Sequence, residues 1–141
     1  IERAGGRNVA ESQDARKGLA RVSIEQIIVA DPDTILTWEP HFYEAVHRDP
    51  LWSGISAIKN NRVYLAPTVP FGWIDRPPSL NRVMGLKWLP MLFYPDIFDR
   101  DLRNVTRDFY KLFYHVTPTD EELDRLIAWS RGAPPAQTQR P

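Results

Sequence analysis

Phe71, Trp73, Asp75 and Arg76 fall within one stretch, Phe71-Gly72-Trp73-Ile74-Asp75-Arg76-Pro77-Pro78-Ser79. Together they offer aromatic faces, a carboxylate and a forked guanidinium. These groups bind rather than react: an aromatic face packs a flat apolar ring, and arginine gives paired donors to anionic oxygens. Pro77-Pro78 stiffens the stretch, which lowers the ordering cost of binding. The competing reading puts Trp73 in the core and pairs Arg76 with Asp75 or another surface acid. Ser79 reads as a helix N-cap, because a nucleophile elbow needs glycines where Pro78 and Leu80 stand. No Ser–His–acid order or paired-carboxylate spacing stands out. Gly72 and Gly85 are isolated, so no glycine-rich phosphate loop is present. The triplet Asn104-Val105-Thr106 matches a glycosylation signal but lies in a helical pattern.

Three histidines are the remaining chemical candidates. His41 and His47 would sit about 240° apart round a helix and so would not share a face. His115 is remote in sequence, and no acidic cluster supports any of them; the expectation is no metal held by protein side chains and no cofactor.

The elements around the 71–79 stretch place it at a strand end. Arg62-Val63-Tyr64-Leu65-Ala66 reads as a buried strand and Leu80 to Leu89 as a helix, ended or kinked by Pro90 and burying Leu80, Val83, Met84, Leu86 or Trp88, and Leu89. Upstream, Ser23-Ile24-Glu25-Gln26 is a capping box that starts a helix running to about Ala30. Asp31-Pro32-Asp33 stops it, and Thr34 to Trp38 follows as a strand. Trp38 and Glu39 then sit at the same sheet end as the 71–79 loop, with Tyr43 near enough to join them as a second wall; core packing of Trp38 and Tyr43 is the alternative. A short helix to about Arg48, a brief apolar patch at Ile55, Ala57 and Ile58, and a turn at Asn60-Asn61 lead into the second strand. Asn8-Val9-Ala10 is a candidate short strand, and Glu11 to Arg21 reads as a polar surface loop. A helix from Arg100 to His115 has apolar positions Leu102, Val105, Phe109, Leu112, Phe113 and Val116. A second capping box, Thr119-Asp120-Glu121-Glu122, opens a last helix with Leu123, Leu126 and Ile127 on one stripe. The fold class is therefore α/β, with a small, mostly parallel sheet flanked by helices. In open α/β sheets ligands sit at loops beyond the carboxyl ends of strands.

The 141 residues suffice for one core. Net charge is zero, with Lys and Arg scattered, which argues against a nucleic-acid partner. No apolar run reaches the length of a transmembrane helix, and the absence of cysteine excludes disulfides and thiolate metal sites. The start at Ile1 shows neither an initiating Met nor a signal pattern and reads as a processed or truncated piece. Residues 132–141 are Pro-rich and read as a disordered tail after a domain spanning 1–131.

Gly5-Gly6-Arg7-Asn8, Val22-Ser23-Ile24-Glu25-Gln26, Asp31-Pro32-Asp33-Thr34-Ile35-Leu36, Ile55-Ser56-Ala57-Ile58-Lys59-Asn60-Asn61-Arg62-Val63-Tyr64 and Trp73-Ile74-Asp75-Arg76-Pro77-Pro78-Ser79 share an order and spacing. That order resembles the C-terminal lobe of the substrate-binding proteins that serve ATP-driven importers of iron chelates, haem, cobalamin and some oxyanions. The resemblance covers roughly residues 4–128. It implies a Rossmann-like lobe whose N-terminal partner lobe and linking helix are absent from this chain, with the ligand in the cleft between lobes. It implies a periplasmic or membrane-anchored extracytoplasmic parent. It faces the 71–79 loop toward the cleft, with Trp73, Arg76, Phe71 and Asp75 as ligand residues beside Trp38 and Tyr43. Lys17-Gly18-Leu19 would border the cleft, and His41 is the histidine nearest to it. Glu25 stands where the family's Ser-x-Glu motif contacts permease arginines; its bland role is a favourable charge at a helix N-terminus. The implied function is capture of an iron chelate (siderophore or haem) or a cobalamin-like ligand and its delivery to a membrane permease. The alternatives are an oxyanion (molybdate or tungstate) binder of the same family, in which Arg76 and loop N–H groups dominate and Trp73 only packs, and an unrelated small α/β enzyme or regulatory domain.

Overall fold

The computed structural model describes residues 1–10, 21–75, 77, 79–98 and 101–131, apart from the side chains of 129 and 131. The expected loop at 11–20, the Lys17-Gly18-Leu19 segment, Arg76 and the 132–141 tail lie outside the described residues.

The architecture is mixed. Helices pack round a two-stranded parallel sheet, as the alternation of patterns predicts. Helix α1 (Ile24–Ala30) starts at the expected capping box: Ser23 accepts from the Gln26 N–H, and the Gln26 side chain accepts from the Ser23 N–H. It ends at Asp31, whose φ of 37° is left-handed. The Asp31 carboxylate then reaches across the chain. Its two oxygens accept from the Ser56 N–H and the Ser56 hydroxyl, both at 2.8 Å. These bonds hold the carboxyl below its ordinary pKa and cap helix α3 (Ser56–Lys59), which has no side-chain cap of its own. The apolar patch at Ile55–Ile58 is thus part of a helical turn.

Strands β1 (Ile35–Thr37) and β2 (Val63–Leu65) pair in register, Ile35 with Val63 and Thr37 with Leu65. Between them run helix α2 (Pro40–Val46), a 3₁₀ turn at Pro50–Trp52, and α3. All three β2 residues are buried, as expected of a strand covered on both faces. Their side chains alternate between two cores. Tyr64 joins Trp73, Trp88, Met84, Phe109 and Ile127, whereas Val63 and Leu65 join Tyr43 and Val46.

Helices α4 (Arg82–Phe93), α5 (Leu102–Tyr114) and α6 (Asp120–Ile127) belong to the larger core side. Three expectations need correction there. Pro90 does not end α4, which continues to Phe93. The carbonyl that loses its donor belongs to Leu86, which is exposed, so the missing bond is not buried. The buried face of α4 is Met84, Gly85, Trp88 and Leu89, while Leu80, Val83 and Leu86 are exposed. The cause is Gly85: a Cβ there would lie 2.1 Å from the Trp73 carbonyl oxygen, so the helix backbone itself rests on the loop. In α5 the buried face is Leu102, Thr106, Phe109 and Tyr110, one notch round from the expected stripe. Leu112, Phe113 and Val116 are exposed. Thr106 tolerates burial because its hydroxyl donates to the Leu102 carbonyl at 2.7 Å. Residues 8–10 form no strand; the entry segment instead makes a 3₁₀ turn at Glu2–Ala4 that buries Ala4. The second capping box, Thr119 with Glu122, is formed as read and starts α6.

Candidate functional site

Parallel pairing brings the carboxyl ends of β1 and β2 to the same side of the sheet, and a chain segment leaves from each. After β1 the connection is short. Thr37 Oγ1 accepts from the Glu39 N–H at 3.0 Å, and Glu39 Oε1 accepts from the His41 N–H at 3.2 Å, so α2 begins almost at once. After β2 the chain makes a long excursion before α4. The Trp73 N–H donates to the Pro67 carbonyl at 3.1 Å, closing a loop in which the Val69–Pro70 peptide is cis.

The expected ligand residues fall into two groups. Trp73 has no exposed surface. Its ring meets Trp88 edge-on at 6.0 Å between centroids, and its indole N–H has no partner among the described residues. Tyr43 is also buried, with its ring edge-on to His47 and its pKa raised by burial. These two side chains sit where the packing alternative put them; neither has a face open to a ligand in this conformation. Phe71 and Trp38 are 42% and 44% exposed, and Asp75 is exposed. Phe71, Trp38 and Asp75 therefore remain accessible on the two strand-end connections. Arg76, next in the chain after Asp75, lies outside the described residues.

Glu25 is exposed in the first turn of α1, and a hydrogen bond from the Ser23 hydroxyl lowers its pKa. Among the described residues no three His, Asp or Glu side chains gather to hold a metal. His41 and His115 are exposed, and His115 serves as the left-handed cap of α5. Burial pushes the His47 pKa down, and its Nε2 has no partner among the described residues.

Three residues that the sequence reading passed over fasten the long loop. Tyr110 donates from its hydroxyl to the Val69 carbonyl. Asn81 Nδ2 donates to the Phe71 carbonyl at 2.8 Å, and the Tyr114 hydroxyl donates to Asn81 Oδ1 at 2.6 Å. The available signal was the Tyr110/Tyr114 pair, one turn apart on a helix.

A cavity of about 780 Å³ lies elsewhere, against Leu36, Ile27, Phe42, Trp52 and Phe93. None of the described ligand residues, Phe71, Trp73, Asp75, Trp38 and Tyr43, lines it. The strand-end connections carry the accessible Phe71, Trp38 and Asp75 and form the candidate site.

Residues 1–70 match the family described as periplasmic binding protein. The fold is similar to that of an ABC transporter solute-binding protein from Sulfurospirillum deleyianum, at a TM-score of 0.81 and 38% identity over 89% of this chain and 39% of that one. A periplasmic solute-binding protein from Veillonella parvula matches at a TM-score of 0.73 and 31% identity, over 91% of this chain and 40% of the other. Among curated proteins, the molybdate-binding protein MolA of Haemophilus influenzae is 32% identical over 83% of this chain and 33% of its own length. These likenesses are consistent with a lobe of a periplasmic binding protein, the solute-binding class of ABC transporters. The chain spans about a third of the curated relative's length.

Proposed function

We propose that this chain is the C-terminal lobe of an importer's solute-binding protein and that its ligand is an oxyanion of the molybdate class. The observation that carries the choice of ligand is the burial of Trp73. A flat chelate calls for an open aromatic face at the centre of the loop, and that ring is committed to the core. What the stretch then offers is Arg76 and backbone N–H groups, which suit a small anion. The molybdate-binding relative supports the same reading. In this reading Arg76 supplies the charge-assisted bonds, and Asp75 and Phe71 shape the wall with Trp38.

Titration of the full-length protein with molybdate, tungstate, a ferric hydroxamate, haem and cobalamin tests the proposal. Saturable binding of molybdate or tungstate is expected, with Arg76→Ala weakening it by tenfold or more, roughly the loss of one charge-assisted bond. Binding of the ferric chelate with no response to either oxyanion would overturn it. That outcome would favour a second reading, an iron-chelate binder, which the exposed Phe71 and Trp38 rings support.

The parent would work outside the cytoplasm and deliver its ligand to a membrane permease, with Glu25 as a docking acid. Glu25→Arg in the full-length protein should abolish uptake in cells while ligand affinity stays unchanged. Normal uptake by that variant would remove Glu25 from the docking surface.

A further inference from the structure

At its base the long loop between β2 and α4 is anchored by the buried Trp73 ring, but its outer stretch is held by its backbone. Along its outer stretch the carbonyls of Val69 and Phe71 turn toward the protein and accept the Tyr110 and Asn81 bonds, while the side chains of the same two residues are 62% and 42% exposed. Asn81 is the telling residue. It stands at the N-cap position of α4, where an asparagine ordinarily accepts from the helix's own N–H groups, yet it makes no such bond. Its amide, fully buried, is spent bridging Phe71 to Tyr114. An orphaned amide there would be costly, so the bridge is strongly determined. The Trp73–Pro67 bond closes the loop at its base, and the α4 backbone at Gly85 lies against the Trp73 carbonyl.

We propose that Asn81, Tyr110 and Tyr114 are positioning residues that preset the backbone of residues 67–73, so that a ligand meets a wall already formed. The inference rests on the reading of this loop as a ligand wall. It assigns α5, which carries both tyrosines, to the binding apparatus although no α5 residue need touch the ligand. It also separates two jobs within the loop: the carbonyls fix its path, and the outward side chains at 69 and 71 select. A preset loop spares the ordering cost of binding, and loosening it lowers the fraction of molecules competent to bind.

The test uses the full-length protein, with Tyr114→Phe as the main variant because it keeps the ring and removes only the hydroxyl. Tyr94→Phe is the control: the Tyr94 hydroxyl also donates to a backbone carbonyl, that of Gly5 at 2.8 Å, but remote from the loop in sequence. Hydrogen exchange without ligand comes first. Tyr114→Phe should speed amide exchange in residues 68–74 and leave β2 unchanged; unaltered exchange there overturns the proposal. Stopped-flow binding of molybdate comes second. The expected result is an association rate about tenfold lower at full stoichiometry, with dissociation nearly unchanged, as a reduced competent fraction predicts. Tyr94→Phe should keep the wild-type rate. A merely structural role would instead lower the active fraction with wild-type rates, and faster exchange with an unchanged association rate would also overturn the proposal. Wild-type protein that binds neither molybdate nor the ferric chelate would overturn the functional reading itself, with the exchange experiment still deciding whether these residues hold the loop.

Discussion

The two connections that leave the carboxyl end of the sheet solve the same problem by different means. The one after β1 is local: Thr37 and Glu39 satisfy the backbone within two residues and launch α2. The one after β2 depends on groups distant in sequence, with Tyr110 bound to a carbonyl 41 residues away and Tyr114 acting through Asn81. It also buries Trp73, one of the two fully buried tryptophans of the core. A short connection held by its own residues tolerates change in the rest of the molecule. A long one held by α4 and α5 ties candidate ligand groups to the main core, so damage to that core should reach the site.

The sharpest way to break the contrast is Trp73→Ala. Removing a fully buried indole should cost about 3–5 kcal/mol, read by denaturant unfolding of the full-length protein. A cost near zero would mean the ring is not a core residue. Gly85→Ala comes next. Its new methyl must displace the Trp73 carbonyl or α4, at about 1–3 kcal/mol, and should perturb Trp73 fluorescence in the folded state. The matching change on the short connection is Thr37→Val, which removes one nearly buried hydroxyl acceptor at nearly constant shape. Loss of about 1 kcal/mol is expected, with ligand affinity held.

Two smaller effects concern protons. His47 resists protonation when folded, because burial lowers its pKa. The unfolded chain takes up that proton near pH 6.5, so stability should fall as pH drops below about 6.5, and His47→Gln should remove that limb of the profile. Asp31, held low by Ser56, contributes stability that is present above the ordinary carboxylate range and lost as pH falls through it. Ser56→Ala removes the hydroxyl bond but keeps the larger N–H one, so it should shallow that acid limb only in part and leave the histidine one untouched. Unfolding midpoints measured from pH 3 to pH 8 (about one unit apart) separate the two.

Local chemistry was legible and tertiary choice was not. The Ser23/Gln26 and Thr119/Glu122 capping boxes fix the starts of α1 and α6, because both partners lie within four residues of chain. The two strands were readable from their β-branched and aromatic runs between turns. The faces of α4 and α5 were not, since Leu80, Leu86, Leu112 and Phe113 are as apolar as the residues that won the core. Gly85 decided between them by its lack of a side chain, a signal that has meaning only once Trp73 lies beneath it. For the site, the strand-end position and the accessibility of Phe71 and Asp75 could be anticipated. The direction of Trp73 could not, because an indole suits a cleft and a core equally well. The Asp31–Ser56 cap escaped notice for a simpler reason: its partners are 25 residues apart.

Burial pushes the Tyr110 hydroxyl up to about 12, with Tyr114 beside it adding to the shift. A phenol that keeps its proton that long remains a donor in acid and in mild alkali alike. The latch on the Val69 carbonyl is therefore blind to pH changes across the acid and neutral range. If ligand release proves pH-dependent, the sensor must be sought in the ligand or in other groups, and this fastening sets a constant background against which it can be measured.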